Sequence, residues 1–293
     1  MKRDHWLREM ERLDPEIDYE RIYQISSQRE FPWDLTQALS FALFRTYAVP
    51  RIGQLLAETG EFTERTQKRY DDTALILGEI LEHGAASERG RAAIRRMNQM
   101  HGRYPIANAD LRYVLSTFVV VPKRWLDAYG WRPYAPVEIQ AVTNYYRALG
   151  RYMNIQDIPK TYEDFEQTMD EYERWFFAFD EGGRAVSDAT LGLLDDWYPG
   201  PLGRVMRTVS LCLMDAPLLA AFGYRPPPPL LRRAVRGGLR LRGRAERLMP
   251  ARRRPFHARM SRTVRSYPDG YDVTRLGTFP DGRAEPPSPS PPH

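Results

Sequence analysis

His101 is the residue in this sequence best placed to do chemistry. Of the five histidines, it is the one predicted to face a core, since Ile94 and Met97 precede it at helical spacing before Gly102 ends the helix. An imidazole directed into a large apolar slot can be the single axial ligand of a haem iron. The alternative is structural, because a cationic imidazole near a helix C-terminus is stabilised by the helix dipole. Spacing alone leaves both hypotheses open.

Three polar residues, Arg69, Asp72 and Thr73, share a predicted helix face with Ile76 and Ile80. If that face is buried, its polar groups are costly unless they bond one another or a ligand. One hypothesis is the distal side of a haem pocket, with Arg69 alternatively pairing a propionate. The other is a side-chain pair that neutralises itself on a half-exposed face.

Other catalytic signatures are missing from the sequence. It contains no P-loop, no HExxH, no GxSxG and no GxGxxG after a strand. Cys212 is the single cysteine, so an intrachain disulfide and a cysteine-based zinc site are excluded, and a buried structural thiol is expected. The sequence therefore gives no support to a nucleotide-binding, zinc-protease or serine-hydrolase function.

The helical spacing of apolar residues predicts an all-α protein with one main domain. Hydrophobic residues make up 42% of the chain and charged residues 28%, which is typical of globular proteins. We expect a helical lead-in over residues 1–30 and a catalytic domain over 31–224. An arginine-rich helical arm that packs on the domain is expected over 225–280, and a disordered proline-rich tail over 281–293.

Prolines, glycines and capping residues predict where several helices begin and end. Asp34 is expected to cap the helix that follows Pro32. Pro122 is expected to limit an apolar helix that begins near residue 110, and Gly182 with Gly183 to end a helix that runs over residues 162–179.

Basic charge is concentrated in one segment. The formal net charge is +5, yet fourteen arginines and the single acid Glu246 lie between residues 225 and 265. Leucine and valine, rather than stacking aromatic residues, interleave with these arginines. The pattern favours a membrane-surface or structural helix over a nucleic-acid surface, and no nucleic-acid partner is expected.

The sequence also gives an expectation of location. The N-terminus runs into charged residues without an apolar segment, and no window reaches roughly 18 uncharged apolar residues. We therefore expect a cytoplasmic protein without a signal peptide or transmembrane helix, whose contact with anionic membranes is peripheral.

Six short motifs occur in an order and spacing that resemble those of the MpaB-type oxygenases, relatives of the latex-clearing rubber oxygenases. The resemblance covers roughly residues 30–280. The motifs are Phe31-Pro32-Trp33-Asp34, Arg45-Thr46-Tyr47-Ala48-Val49-Pro50, Lys68-Arg69-Tyr70-Asp71-Asp72-Thr73, Met97-Asn98-Gln99-Met100-His101-Gly102, Ile106-Ala107-Asn108-Ala109-Asp110 and Tyr267-Pro268-Asp269-Gly270-Tyr271.

The resemblance implies a haem b-dependent oxygenase with a globin-like, all-helical core. His101 matches the family's proximal histidine, and Arg69 and Thr73 match residues of the distal helix. Asp72 stands where the rubber oxygenases carry a lysine, so the MpaB branch is the closer match, and a lysine-ligated iron is not expected. Asn98, one turn before His101, is expected to orient the imidazole or a propionate.

The implied activity is oxidation of a lipophilic, isoprenoid or alkene-containing small molecule with dioxygen. The alternative function, drawn from the basic segment, is a non-catalytic helical protein that docks on anionic membrane surfaces through its arginine-rich arm.

Overall fold

The computed structural model describes residues 1–278. Within them the regular secondary structure is entirely helical, which confirms the predicted all-α class. The α-helices are α1 (His5–Met10), α2 (Tyr19–Ile25), α3 (Pro32–Tyr47), α4 (Pro50–Glu58), α5 (Glu61–Glu64), α6 (Thr66–His83), α7 (Glu88–His101), α8 (Asn108–Tyr129), α9 (Pro136–Tyr152), α10 (Tyr162–Phe176), α11 (Glu181–Trp197), α12 (Leu202–Leu213), α13 (Ala216–Ala221) and α14 (Pro229–Glu246). A π-helical segment, Ser26–Glu30, and the 3-10 turns Ala258–Met260 and Val273–Arg275 complete the list. The predicted tail, 281–293, lies outside the described residues.

Local sequence explains most helix starts. Proline occupies the first position of α3, α4, α9 and α14, where its missing N–H costs no hydrogen bond. The Ser87 side chain caps α7 by accepting a hydrogen bond from the Gly90 amide, and Thr161 caps α10 in the same way. Asp34, expected to cap α3, does not: the helix has no side-chain cap, and this buried carboxylate bonds Trp125 and Arg242 instead.

Two predicted boundaries are wrong. Helix α8 continues through Pro122 to Tyr129, because the buried Trp125 and Leu126 beyond the proline pack into the core and hold the helical path. Gly182 and Gly183 begin α11 rather than end α10. The Gly183 amide donates to the capping carboxylate of Asp180 at 2.8 Å.

The largest core surrounds α8, which packs against α3, α9 and α10. Tyr113, Leu126 and Phe165 are among its fully buried side chains. A second cluster lies between α3, α11 and α13 and includes Tyr47 and Phe222. Cys212 is buried, as predicted. None of the helices within residues 1–278 has the length and apolar character needed to cross a bilayer.

The chain returns to the domain after α13. Helix α14 packs against α8 and α12, and Arg242 lies 2.8 Å from Asp34. Residues 256–278, here called the C-terminal strap, contain little regular structure and contact α6 and α7 through the two 3-10 turns. The strap therefore covers the two helices that carry the predicted site residues.

Candidate functional site

Helices α6 and α7 form the frame of the site. They pack against each other and are joined by a short turn at residues 84–87. Gly84 has a positive φ of 81°, a conformation that glycine adopts without strain, so the chain can reverse there. On the predicted faces, Asp72, Ile76, Ile80, Ile94 and Met97 are buried, and Arg69, Thr73 and His101 are half-buried.

The His101 imidazole has an unused nitrogen. Its Nδ1 atom is buried and has no hydrogen-bond partner. Burial, reinforced by the positive charge of Arg69, lowers the pKa of His101 to about 4. The ring is therefore neutral at pH 7, which argues against the cationic capping role. Leaving such an atom unpaired costs about 1–3 kcal/mol, so the imidazole is suited to a ligand that uses its lone pair.

Arg69 and Thr73 form a unit on α6. The Arg69 guanidinium donates a hydrogen bond to the Thr73 hydroxyl, which in turn donates to the Arg69 carbonyl at 3.0 Å. The guanidinium also lies 4.9 Å from the centre of the Phe62 ring. Among the described residues it forms no ion pair with a carboxylate. A half-buried guanidinium without an acid partner, close to a neutral imidazole, can receive an anionic group.

Asp72 makes different contacts from Arg69 and Thr73. Its buried carboxylate lies 3.0 Å from Lys68 Nζ and accepts a hydrogen bond from the Tyr267 hydroxyl. The structure thus uses this carboxylate to attach the C-terminal strap to α6. Arg69 bonds Thr73 and acts electrostatically on His101, whereas Asp72 faces the strap.

Asn98 is likewise engaged elsewhere. Its side-chain amide donates to the Tyr152 carbonyl, at the end of α9, at 2.8 Å. This bond ties α7 to α9. Orientation of the imidazole or a propionate by Asn98 stays a prediction.

A cavity of about 160 Å³ lies beside Thr73. Its lining is mainly apolar and comes from α2, the π-helical segment, α3, α6, α8 and α9, together with six strap residues. The lining includes Leu35, Leu39, Leu43, Leu77, Phe118 and Leu149. His101, Arg69, Asp72 and Asn98 are not part of it. A cavity near 150 Å³ holds a benzene-sized group, so this one suits part of a lipophilic chain and is too small for a porphyrin.

Four hydroxyls in the cavity wall are paired with each other. The Tyr23 and Tyr146 hydroxyls are 3.0 Å apart, and those of Ser40 and Tyr70 are 2.8 Å apart. With these hydroxyls satisfied internally, the wall favours an apolar ligand.

Sequence reasoning missed the C-terminal strap as part of the site. It gave residues 267–271 as a motif of the resemblance and assigned them no contact, whereas the hydroxyls of Tyr267 and Tyr271 bond the buried acids Asp72 and Glu79. The motif itself was the available signal. In the part of the chain that the structure describes, no three His, Cys, Asp or Glu side chains gather as a metal site.

Comparison with known proteins shows the family of the chain. Residues 30–265 match the family model described as ER-bound oxygenase mpaB/B'/Rubber oxygenase, catalytic domain. The chain belongs to this family.

Individual relatives come from Penicillium. The ER-bound oxygenase mpaB' of Penicillium brevicompactum is 31% identical over 226 residues, which are 71% of this chain and 53% of that protein. The ER-bound oxygenase mpaB of the same species is 31% identical over 229 residues, 72% of this chain and 58% of the relative. That of Penicillium roqueforti is 37% identical over 141 residues, 46% of this chain and 47% of the relative. The chain thus spans about half the length of the relatives it matches.

Proposed function

We propose that this protein is a haem b-dependent oxygenase that uses dioxygen to oxidise a lipophilic, isoprenoid-like or alkene-containing small molecule. The observation that carries the proposal is the buried Nδ1 of the neutral His101 imidazole, which has no hydrogen-bond partner within residues 1–278, together with the charge of Arg69, which has no carboxylate partner in the same range. Membership of an oxygenase family supports the reaction class.

The donor set fits a haem. His101 would offer a neutral imidazole to a haem iron, which needs no cluster of protein ligands. Within residues 1–278 the Arg69 guanidinium has no carboxylate partner, so it suits either a propionate or a polar group on the distal side. Bound haem would supply dioxygen binding and electron transfer.

The protein's own residues prepare the site. Thr73 holds the Arg69 side chain by accepting its hydrogen bond, so the guanidinium reaches the site already oriented. The apolar cavity beside Thr73 receives a hydrocarbon group of the substrate. Because the hydroxyls of Tyr23, Tyr146, Ser40 and Tyr70 are already paired, a polar substrate group beside them would lose hydrogen bonds to water without regaining them.

Isotope labelling tests the reaction. The haem-loaded, reduced protein is incubated with farnesol, an isoprenoid alcohol with three double bonds, under ¹⁸O₂, and the products are analysed by mass spectrometry. The proposal expects a product that carries at least one ¹⁸O atom. Identical product profiles for the wild type and for haem without protein would contradict it.

We propose peripheral membrane docking through α14 as a second function, compatible with the first. Leu230 and Leu241 are exposed and eleven residues apart, so they share a helix face. Arg233, Arg240 and Arg244 are exposed on the adjoining face. Apolar side chains bordered by arginine suit the surface of an anionic bilayer.

Vesicle binding tests the docking. Sedimentation with phosphatidylcholine vesicles, with and without phosphatidylserine, is compared for the wild type and the triple variant Arg233→Gln/Arg240→Gln/Arg244→Gln. A matched control, Arg21→Gln/Arg91→Gln/Arg95→Gln, removes the same charge from other exposed arginines. We expect the wild type to bind the vesicles that contain phosphatidylserine, and this binding should weaken as the salt concentration rises. Only the α14 triple variant should lose it. Equal binding by both variants would rule out α14 as the contact.

A further inference from the structure

The C-terminal strap provides one wall of the cavity beside Thr73. Six of its residues line the cavity: Phe256, His257, Ala258, Ser261, Thr263 and Val264. Helix α6 supplies much of the facing wall, and Gly78 lets the strap come close, since a Cβ at this position would lie 2.8 Å from Ala258 Cβ. The size of the cavity therefore depends on where the strap rests on α6.

Two side chains of α6 fix the strap on both sides of Val264. The Gln67 amide nitrogen donates to the carbonyl of Thr263 at 2.7 Å. The fully buried carboxylate of Asp71 accepts from the backbone N–H groups of Arg265 and Ser266, both at 2.9 Å.

Gln67 and Asp71 are themselves held in one arrangement. The Trp197 indole donates to Gln67 Oε1 at 2.7 Å, which directs the amide nitrogen toward its two acceptors. One of these acceptors is Asp71 Oδ1, at 2.7 Å. The Asp71 carboxylate thus accepts three hydrogen bonds and the Gln67 amide is fully paired. Val264 therefore lies between Thr263 and Arg265, whose backbone groups are both hydrogen-bonded to α6, and it has little freedom to withdraw from the cavity.

We propose that Val264 sets the size of the apolar group that the cavity accepts, and that Asp71 is the positioning residue that holds Val264 in the wall. The inference rests on the proposed function only in assigning the cavity to the substrate. It makes Asp71, a residue without contact to the cavity, a determinant of selectivity.

Binding measurements test the size selection. Calorimetry on the full chain as purified, without reductant, gives dissociation constants for two probes: the five-carbon 3-methylbut-2-en-1-ol and the ten-carbon geraniol. Val264→Phe is expected to weaken binding of the five-carbon probe by about tenfold, because a larger side chain fills the space. Val264→Ala is expected to favour geraniol: the affinity for geraniol relative to the five-carbon probe should rise by about tenfold.

Control variants are made at Val205, which is exposed on α12 and does not line the cavity. Val205→Phe and Val205→Ala should leave both constants within about twofold of the wild type. If the wild type binds neither probe, or if a folded Val264→Phe protein binds the five-carbon probe like the wild type, the assignment of Val264 is overturned.

The role of Asp71 is tested by the ratio of the dissociation constants for the two probes. A simple loss of stability would not change this ratio. Asp71→Ala removes every acceptor for the strap amides and should shift the ratio toward geraniol and speed hydrogen exchange in residues 261–271. Asp71→Asn keeps one acceptor oxygen and should restore the ratio in part. Asp127→Ala, at an exposed acid on α8, is the control. An unchanged ratio in Asp71→Ala overturns the positioning role.

These outcomes are separate from those of the proposed function. Probe binding needs neither haem nor dioxygen, so a protein that fails the ¹⁸O₂ test can still show size selection. Conversely, the protein can be an active oxygenase although substitution of Val264 leaves the ratio of the dissociation constants unchanged. That result would keep the proposed function and contradict the role of Val264.

Discussion

Arg69 on α6 acts electrostatically on His101 at the end of α7. Burial and this positive charge together lower the pKa of His101 to about 4. The neutral imidazole of His101 therefore lies within the electrostatic reach of Arg69, which has no acid partner among the described residues. Bound haem would satisfy both, through iron at one and a carboxylate or polar group at the other.

Replacing Arg69 should weaken haem binding. Arg69→Gln removes the guanidinium that is available to a propionate, and a hydrogen bond to a charged group contributes about 1.5–3 kcal/mol. We expect the haem dissociation constant to rise by about tenfold to a hundredfold, as measured by haemin titration of the haem-free protein. Arg65→Gln, one turn earlier at an exposed arginine paired with Glu61, is the control. Equal effects of the two variants would remove Arg69 from the site.

Replacing Asp72 should reduce stability and leave haem binding intact. Asp72→Asn breaks the pair with Lys68 and weakens the bond from Tyr267. We expect a loss of about 2–3 kcal/mol in the free energy of unfolding, less than for a fully buried pair because Lys68 is partly exposed. Denaturant unfolding gives this value, and Tyr267→Phe should repeat part of it. Full stability with lost turnover would restore the distal catalytic role that the resemblance suggested.

The contrast between His101 and Asp72 shows what the sequence could predict. Helical spacing correctly indicated a stripe through Ile94 and Met97 that His101 closes. It could not identify the partner of Asp72, because the bond to Tyr267 joins residues 195 positions apart. Periodicity predicts which face a residue occupies, whereas the partner on that face depends on tertiary packing.

Replacing Arg242 should detach α14 from the domain. Asp34 is fully buried, and its partners are Arg242 and the Trp125 indole. Arg242→Ala leaves that carboxylate without its cation, and we expect a loss of about 3 kcal/mol in unfolding free energy. Arg240→Ala, at an exposed neighbour, should cost less than about 0.5 kcal/mol.

A double variant separates charge from packing. Asp34→Asn/Arg242→Ala removes the unpaired charge as well, so part of the lost stability should return. A double variant no more stable than Arg242→Ala would assign the loss to the other contacts of the guanidinium, which are the Trp33 ring at 3.9 Å and the Glu246 carboxylate at 2.8 Å.

A glycine contact between α4 and α11 should tolerate no side chain. A Cβ on Gly53 would lie 2.6 Å from the Gly183 Cα atom. Gly53→Ala should therefore cost about 3 kcal/mol or more of unfolding free energy, because two helix backbones must separate. Gly192→Ala, in α11 with open space around it, should be neutral or stabilise by up to about 1 kcal/mol. Thermal melts of the two alanine variants give the comparison.

The close contact between α4 and α11 also explains why the predicted helix end at Gly182 and Gly183 is wrong. A pair of glycines at residues 182–183 is typical of a helix end, yet here it allows the first turn of α11 to pack closely against α4. Pro122 likewise looks like a helix limit but is buried within α8. In both places packing between helices outweighs local preference, and the sequence shows only the preference.

The absorption spectrum of His101→Ala tests the central claim most directly. The wild type and His101→Ala are reconstituted with haemin, separated from excess haemin, and scanned before and after dithionite, with His83→Ala as the control at the end of α6. We predict a Soret band in the wild type and in His83→Ala that is lost or strongly shifted in His101→Ala. A wild type without a Soret band, or a His101→Ala protein with the wild-type spectrum, would contradict axial ligation by His101.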